Sequence, residues 1–416
     1  MKFLKSVAVG ALAVVISLVP CFAWADEIPK EELDNNIVTE YNSADLTDPI
    51  IFDANETVAA IGTELDISAR SVILMDVSTG EILYEKNSHE RLAPASVTKV
   101  MGLLLTMEAI EAGQLTLDTV LSASEYACSM GGSQIWLEPG EQMSVHDLLK
   151  AAVIGSANDA TVMLGEAIAG SGEGFVAMMN ERASQLGLID TNFINATGLD
   201  ADGHYTSAHD VAVMSRELIK HELIKNYSTV WIDTLRNGES ELVNTNKLVR
   251  FYEGCTGLKT GTTSKAGACL AATACRNGME LVAVVMGSPT SNDRFNGARK
   301  LLDYGFANWT TVKVCPQPKD LVPIKIKGGV SNVITPVSEG EKAFLLPKGK
   351  TKTIELVTEL PEVLKAPIVK GQQIGVCRVL AGGEEIGTVK ILAGNSVKAM
   401  TFAEAFKKLI NLQFFM

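Results

Sequence analysis

The chain has 416 residues, enough for more than one hydrophobic core, and its 47% hydrophobic and 20% charged residues exclude wholesale disorder. With 36 basic against 49 acidic side chains the formal charge is −13 and no basic stripe stands out, so nucleic acid is not an expected partner. The five histidines form no HExxH, His221-Glu222 being followed by Leu-Ile-Lys, and no CxxC occurs, so neither a metal nor a cofactor is expected.

Residues 1–25, MKFLKSVAVGALAVVISLVPCFAWA, carry two lysines, an apolar run from Ser6 to Val19 and small residues at Ala23 and Ala25. That order reads as a secretory signal cleaved after Ala25. The short apolar run and Pro20 disfavour a retained anchor, and Pro20 is a poor neighbour for a lipoprotein cysteine at Cys21. Six cysteines remain: Cys128, Cys255, Cys269, Cys275, Cys315 and Cys377. Export permits disulfides, but Cys269 and Cys275 read as one strand, about 20 Å apart at about 3.3 Å per residue, too far to bridge. Residues 26–64 form an acidic leader with little periodicity and no assigned order.

The segment SVILMDVSTGEILYEK predicts two strands around a Ser78-Thr79-Gly80 turn. A helix is then expected from near Pro94, ending before Gly113 and apolar nearly all round, hence buried. This puts Ser96 and Lys99 at the tip of a central helix. Ser144 and Asp147 open a capped helix that stops at Gly155, and DATVMLGEAIAG and GFVAMMNERASQLG keep helical spacing. Another helix starts at a Ser207 cap. Strands return around KTGTTSKAGACLAATACRNGMELVAVVMG, with Asn277-Gly278 a hairpin turn, and a helix follows from about Asp293 to Tyr304.

From Pro316-Gln317-Pro318 to about Gly394, short alternating runs punctuated by Gly and Pro predict a separate all-β domain. The tail, TFAEAFKKLINLQFFM, opens with a Thr401/Glu404 capping box. It sets Phe402, Phe406, Leu409 and Ile410 on one face opposite Glu404, Lys407 and Lys408. Such a helix can be core, but here it follows a finished domain and suits a membrane interface. It is too short and too charged to span.

Three motifs carry chemistry. A serine hydroxyl is a weak nucleophile that needs a neighbouring base. At i and i+3, Ser96 and Lys99 share one helix face, and a lysine acts as base when burial or nearby positive charge lowers its pKa. Ser156-x-Asn158 lies in a polar break between two apolar helices, and Lys259-Thr260-Gly261 sits on a strand. Singly these are a capped turn, an interhelical loop and a solvated strand lysine. In this order they match the motif set of class A β-lactamases and penicillin-binding proteins.

From about residue 65 onward the chain resembles the low-molecular-mass penicillin-binding proteins that are serine D-alanyl-D-alanine carboxypeptidases. NATGLDADGHYTSAHDVAVMSREL (195–218) and NTNKLV (244–249) add to the likeness. The resemblance implies an α+β, β-lactamase-like catalytic domain with helices on an antiparallel sheet (65–312). A small all-β domain (313–396) and an amphipathic, membrane-associating helix (397–416) complete the expected organisation. It further implies Ser96 as nucleophile, Lys99 as its base and Ser156 as proton relay to the departing D-alanine. The backbone N–H groups of Ser96 and Thr262 would form an oxyanion hole. Asn158 would hold the substrate amide, and Lys259, Thr260 and Thr262, with Gly261 between them, would line the site of the terminal carboxylate. The implied partners are a peptidoglycan stem peptide, β-lactams and a membrane surface, with the protein on the wall side of the cytoplasmic membrane. Many relatives have His after Lys-Thr-Gly, where this chain has Thr262. A class A β-lactamase is disfavoured because residues 180–200 lack an E-x-x-L-N motif. The same motifs would also suit a DD-endopeptidase acting on cross-links, or an inactive module that binds peptidoglycan.

Overall fold

The computed structural model describes residues 58–317, 319, 321–350 and 354–414; the expected signal segment and most of the acidic leader lie outside them. Five antiparallel strands form the central sheet: β1 (Ser71–Asp76), β2 (Ile82–Lys86), β3 (Cys255–Thr263), β4 (Gly267–Arg276) and β5 (Met279–Ser288), in the order β2-β1-β5-β4-β3. Asp76 ties the expected β1–β2 turn, its Oδ1 accepting from the Thr79 N–H and the Ser78 and Thr79 hydroxyls at 2.7–2.8 Å. Asn277 and Gly278 take φ of 51° and 79° in the two-residue turn between β4 and β5.

The inner strands are apolar on both faces because each face has its own core, as period-two alternation requires. Ile73, Ala271, Val282 and Val284 point into a helical layer, whereas Val72, Leu74, Leu270 and Ala283 point the other way. The helical layer contains α1 (Lys99–Glu111), α2 (Val145–Val153), α3 (Asn158–Ala169), α4 (Gly172–Gln185) and α5 (Ala208–Ile219). The opposite face is covered by α6 (Ser291–Asn308), through Phe295, Ala298, Leu301 and Leu302. Helix α6 runs beyond the expected 293–304. The Thr290/Asp293 capping box starts it earlier, and Tyr304 and Phe306 continue its buried face. Residues from the end of the leader lie along it: Asn308 donates to the Ala59 carbonyl at 2.9 Å.

One expectation is corrected. Ser96 does not lie in the α-helix but in a 3₁₀ turn, Ala95–Thr98, immediately before α1. The cause is crowding. A Cβ on Gly198 would lie 1.8 Å from the Ala95 carbonyl oxygen, and one on Gly261 would lie 2.7 Å from the Ser96 nitrogen. Two glycine backbones therefore grip the turn from either side, and Ala95 takes φ 48°. Behind it, His204 Nδ1 accepts from the Ile194 N–H at 2.9 Å, so its Nε2 proton donates to Thr98 Oγ1 at 2.8 Å. Burial pushes the His204 pKa down to about 4, against an opposing pull from Asp200.

The C-terminal region is all β, with a core that includes Ile324, Ile334, Phe344, Cys377, Val379 and Ile391. It comprises β6 (Trp309–Val314), β7 (Ile324–Lys327), β8 (Val333–Ile334), β9 (Pro336–Ser338), β10 (Lys342–Pro347), β11 (Ile354–Glu359), β12 (Val363–Lys365), β13 (Gln373–Ala381) and β14 (Glu384–Ala393). They form the sheets β6-β10, β8-β7-β12 and β9-β14-β13-β11. The tail forms α7 (Phe402–Phe414), capped by Thr401 and Glu404 as the sequence indicates. Phe402 and Phe406 stand exposed, their rings stacked 6.3 Å apart. Among the described residues no helix is long and apolar enough to cross a membrane.

Two consequences of packing are measurable. A Cβ on Gly165 would sit 2.3 Å from the ring of Phe175, itself 1% exposed. Gly165→Ala is expected to destabilise by about 1–3 kcal/mol despite alanine's better helix propensity, and Phe175→Leu should relieve most of that loss in denaturant titrations. For His204, the unfolded ring takes a proton below about pH 6.5 and the folded one only below about 4. Between those values the unfolded state binds more protons, so stability falls as pH falls. The His204 contribution lost between pH 7 and pH 4.5 is about 2–3 kcal/mol. In His204→Gln that share of the pH dependence should vanish; an unchanged profile would mean the imidazole is not held neutral.

Candidate active site

The 3₁₀ turn decides the first contact. With three residues per turn, side chains at i and i+3 eclipse, and Lys99 Nζ donates to Ser96 Oγ at 2.9 Å. The same ammonium donates to the Thr197 carbonyl at 2.9 Å. That carbonyl is held by Asn195, whose Oδ1 accepts from the N–H groups of Thr197 and Gly198 at 3.1 and 2.7 Å. Ser96 is 2% and Lys99 0% exposed. Removing an ammonium from water disfavours its charged form, so such burial suits a base.

A second serine–lysine pair faces the same region. Ser156 lies within the break between α2 and α3 with φ 61°, a left-handed conformation that costs a serine of order 1 kcal/mol. Its Oγ accepts from Lys259 Nζ at 2.7 Å, and Lys259 also donates to the Thr260 carbonyl at 3.0 Å. Lys259 is not the solvated strand lysine its motif could have been: it is 1% exposed. Strand β3 carries it and packs the Gly261 backbone against Ser96.

Asn158 begins α3. Its Nδ2 donates to the Gly131 carbonyl at 2.6 Å, which fixes the amide's orientation and turns Oδ1 the other way. That buried oxygen has no hydrogen-bond partner among the described residues. Next to it, Asp159 accepts from the N–H groups of Ile135 and Leu137 at 3.1–3.2 Å, pinning the 133–137 segment to the helix start. Burial raises the Asp159 pKa against those bonds.

Two side chains that sequence reasoning missed hold β3 from either side. Thr260 Oγ1 donates to Thr245 Oγ1 at 2.7 Å. Arg294, fully buried on α6 behind the sheet, donates to Thr262 Oγ1 at 2.8 Å and to the Gly261 carbonyl at 3.0 Å. Because Arg294 donates into Thr262 Oγ1, the threonine keeps its own hydroxyl proton for another acceptor. Arg294 carries no local signal, and Thr245, though it lies within NTNKLV, has none for its contact with Thr260. Their role comes from packing between segments far apart in sequence.

The eight expected site residues thus gather around one end of β3, with no cysteine among them. Burial raises the pKa of Cys128 and Cys269, and pushes that of Cys255 up to about 12, which suits inert thiols rather than nucleophiles. The six cysteines among the described residues are free, and Cys269 and Cys275 share strand β4. Among the described residues no group of three His, Cys, Asp or Glu side chains is placed to hold a metal ion.

Residues 56–290 match the family model D-alanyl-D-alanine carboxypeptidase, and residues 309–399 match that of the penicillin-binding protein 5 C-terminal domain. The chain is 42% identical to D-alanyl-D-alanine carboxypeptidase DacF of Bacillus subtilis, over 75% of this chain and 82% of that one. Penicillin-binding protein 5 from Haemophilus influenzae superposes with a TM-score of 0.72 at 33% identity, covering 81% of this chain and 99% of that chain. Penicillin-binding protein D2 from Listeria monocytogenes in its ampicillin-bound form gives 0.51 at 33% identity, covering 59% of this chain and 100% of that chain. The family match covers more than half of the chain, with its buried Ser–Lys pairs, and the protein therefore belongs to the serine D-alanyl-D-alanine carboxypeptidase family.

Proposed function

We propose that this carboxypeptidase removes the terminal D-alanine of peptidoglycan stem peptides through an acyl-enzyme on Ser96. The observation that carries the assignment is the 2.9 Å contact between Ser96 Oγ and the fully buried Lys99 Nζ. Lys99, neutral when it acts, takes the hydroxyl proton as Ser96 Oγ attacks the carbonyl of the penultimate D-alanine. The N–H groups of Ser96 and Thr262 hold the developing oxyanion. Ser156, bonded to Lys259, passes a proton to the amine of the departing D-alanine. The unpartnered Asn158 Oδ1 accepts from the substrate's amide N–H, while Lys259 and the Thr262 hydroxyl receive the terminal carboxylate, joined by the Thr260 hydroxyl once its proton turns from Thr245. Water then cleaves the ester and restores Ser96.

β-Lactams, which present a strained amide and a carboxylate in the same relation, acylate Ser96 and leave slowly. The ampicillin-bound neighbour supports this reading. Residues 1–25 export the chain, which works on the outer face of the cytoplasmic membrane, with α7 lying in the interface by Phe402, Phe406 and Ile410. The exposure of all three on the described part of α7 supports this placement.

Two experiments test these assignments. The mature secreted chain should release D-alanine from a peptide ending in Lys-D-Ala-D-Ala. Ser96→Ala should abolish release, and Lys99→Ala should reduce it by about 10²–10⁴-fold. No release from folded wild-type protein would sink the assignment in favour of endopeptidase activity or binding alone. For the tail, a chain ending at Met400 should keep its activity on this soluble peptide and lose binding to neutral phosphatidylcholine vesicles. Vesicle binding that survives the truncation would refute the role of α7.

A further inference from the structure

Four cations of the all-β domain are paired with carboxylates. Lys313 pairs with Glu341 at 3.1 Å, Lys390 with Glu339 at 3.7 Å, Arg378 with Glu359 at 2.8 Å, and Lys350 with Glu384. One patch gathers several lysines without such partners. In the sheet β8-β7-β12, Ile324 and Ile326 turn inward, so Lys325 and Lys327 turn outward. Lys325 stands between Val333 and Val363, and Lys327 stands beside Lys365. Two lysines side by side on one face repel each other, and Lys370 adds a further exposed cation nearby. Among the described residues none of these four has a carboxylate within 4 Å. The exposed acids of the neighbourhood are Glu362, just before β12, and Glu404, which caps α7.

The patch adjoins the root of α7. The Met400 N–H donates to the Gly328 carbonyl at 2.8 Å, and Ala399 bridges to Gly329, so the helix leaves the domain one residue beyond Lys327. Exposed valines stand among the lysines: Val330 at 48%, Val333 at 51% and Val369 at 65% exposure. Ammonium groups on long apolar stems, interleaved with small apolar side chains, fit a boundary where phosphate oxygens overlie acyl chains. Residues 313–399 carry 13 Lys and Arg against 8 Asp and Glu, a basic domain within a chain of net charge −13.

We propose that Lys325, Lys327, Lys365 and Lys370, with Val330 and Val369, form a docking surface for a bilayer of anionic phospholipid. The inference rests on α7 lying in the membrane interface and adds a second, charge-dependent contact beside it. A basic patch beside an amphipathic helix adds electrostatic attraction for anionic lipid to the helix's burial of apolar area.

The test uses the mature chain, its Lys325/Lys327/Lys365/Lys370→Gln variant and the chain ending at Met400. Each is co-sedimented with phosphatidylcholine vesicles, with and without about 30% phosphatidylglycerol. The glutamine variant should lose about 10³-fold in binding to anionic vesicles, keep wild-type binding to neutral ones and retain its D-alanine release. Wild-type binding to the anionic vesicles should weaken between about 50 and 500 mM salt, and that of the variant, which keeps Lys398, Lys407 and Lys408, should weaken less. Unchanged binding of the variant to anionic vesicles overturns the proposal, as does an equal loss on both vesicle types. So does competition by soluble poly(glycerol phosphate) at matched phosphate, which would make a wall polymer the partner. Failure of the α7 reading shows separately, as neutral-vesicle binding by the chain ending at Met400.

Discussion

Everything in the catalytic half depends on keeping Lys99 out of water and within reach of Ser96. An ammonium is costly to bury alone, and the fold offsets that cost with a serine oxygen on one side and the Thr197 carbonyl on the other. Both partners must be placed to within a few tenths of an ångström. The 3₁₀ turn places the serine, the Asn195-tied loop places the carbonyl, and two glycines bring both close enough. Either glycine replaced by any other residue would push a Cβ into backbone, which has no rotamer by which to escape.

The second pair repeats this design with different means. Lys259 is carried by a strand instead of a helix, and its partner Ser156 sits in a strained turn. Strain of this kind persists where the surroundings over-determine the backbone. Asp159 and the 133–137 segment do so on one side and the buried end of α2 on the other. Arg294 then supports β3 from behind, so that the sheet edge facing the nucleophile is fixed on both faces.

Much of this was legible in the chain. Ser96 and Lys99 stand out because i, i+3 spacing is a local property, and the Ser156-x-Asn158 and Lys259-Thr260-Gly261 segments because their polarity breaks apolar runs. The helices with serine caps at 144 and 207 and the Asn277-Gly278 hairpin were equally readable. What could not be read was set by long-range packing. The turn at Ser96 is 3₁₀ because Gly198 and Gly261 approach from more than a hundred residues away. Arg294 looks ordinary in its own segment, and although His204 and Thr245 lie in segments that carry the family likeness, their contacts with Thr98 and Thr260 exist only in the folded chain.

The register of the central sheet has a consequence for the timing of assembly. Strand β1 finds its partner in β5, Val72 opposite Val285 and Leu74 opposite Ala283, some two hundred residues later in the chain. Closing so long a loop must precede the contacts that reward it. The nucleophile is therefore synthesised early and completed late: until Ser288 has emerged, β4 and β5 cannot hold β3 against the turn, and Ser96 has a base nearby but no socket. A nascent chain carries the chemistry of a hydrolase without its activity. The switch from one to the other is the docking of a hairpin.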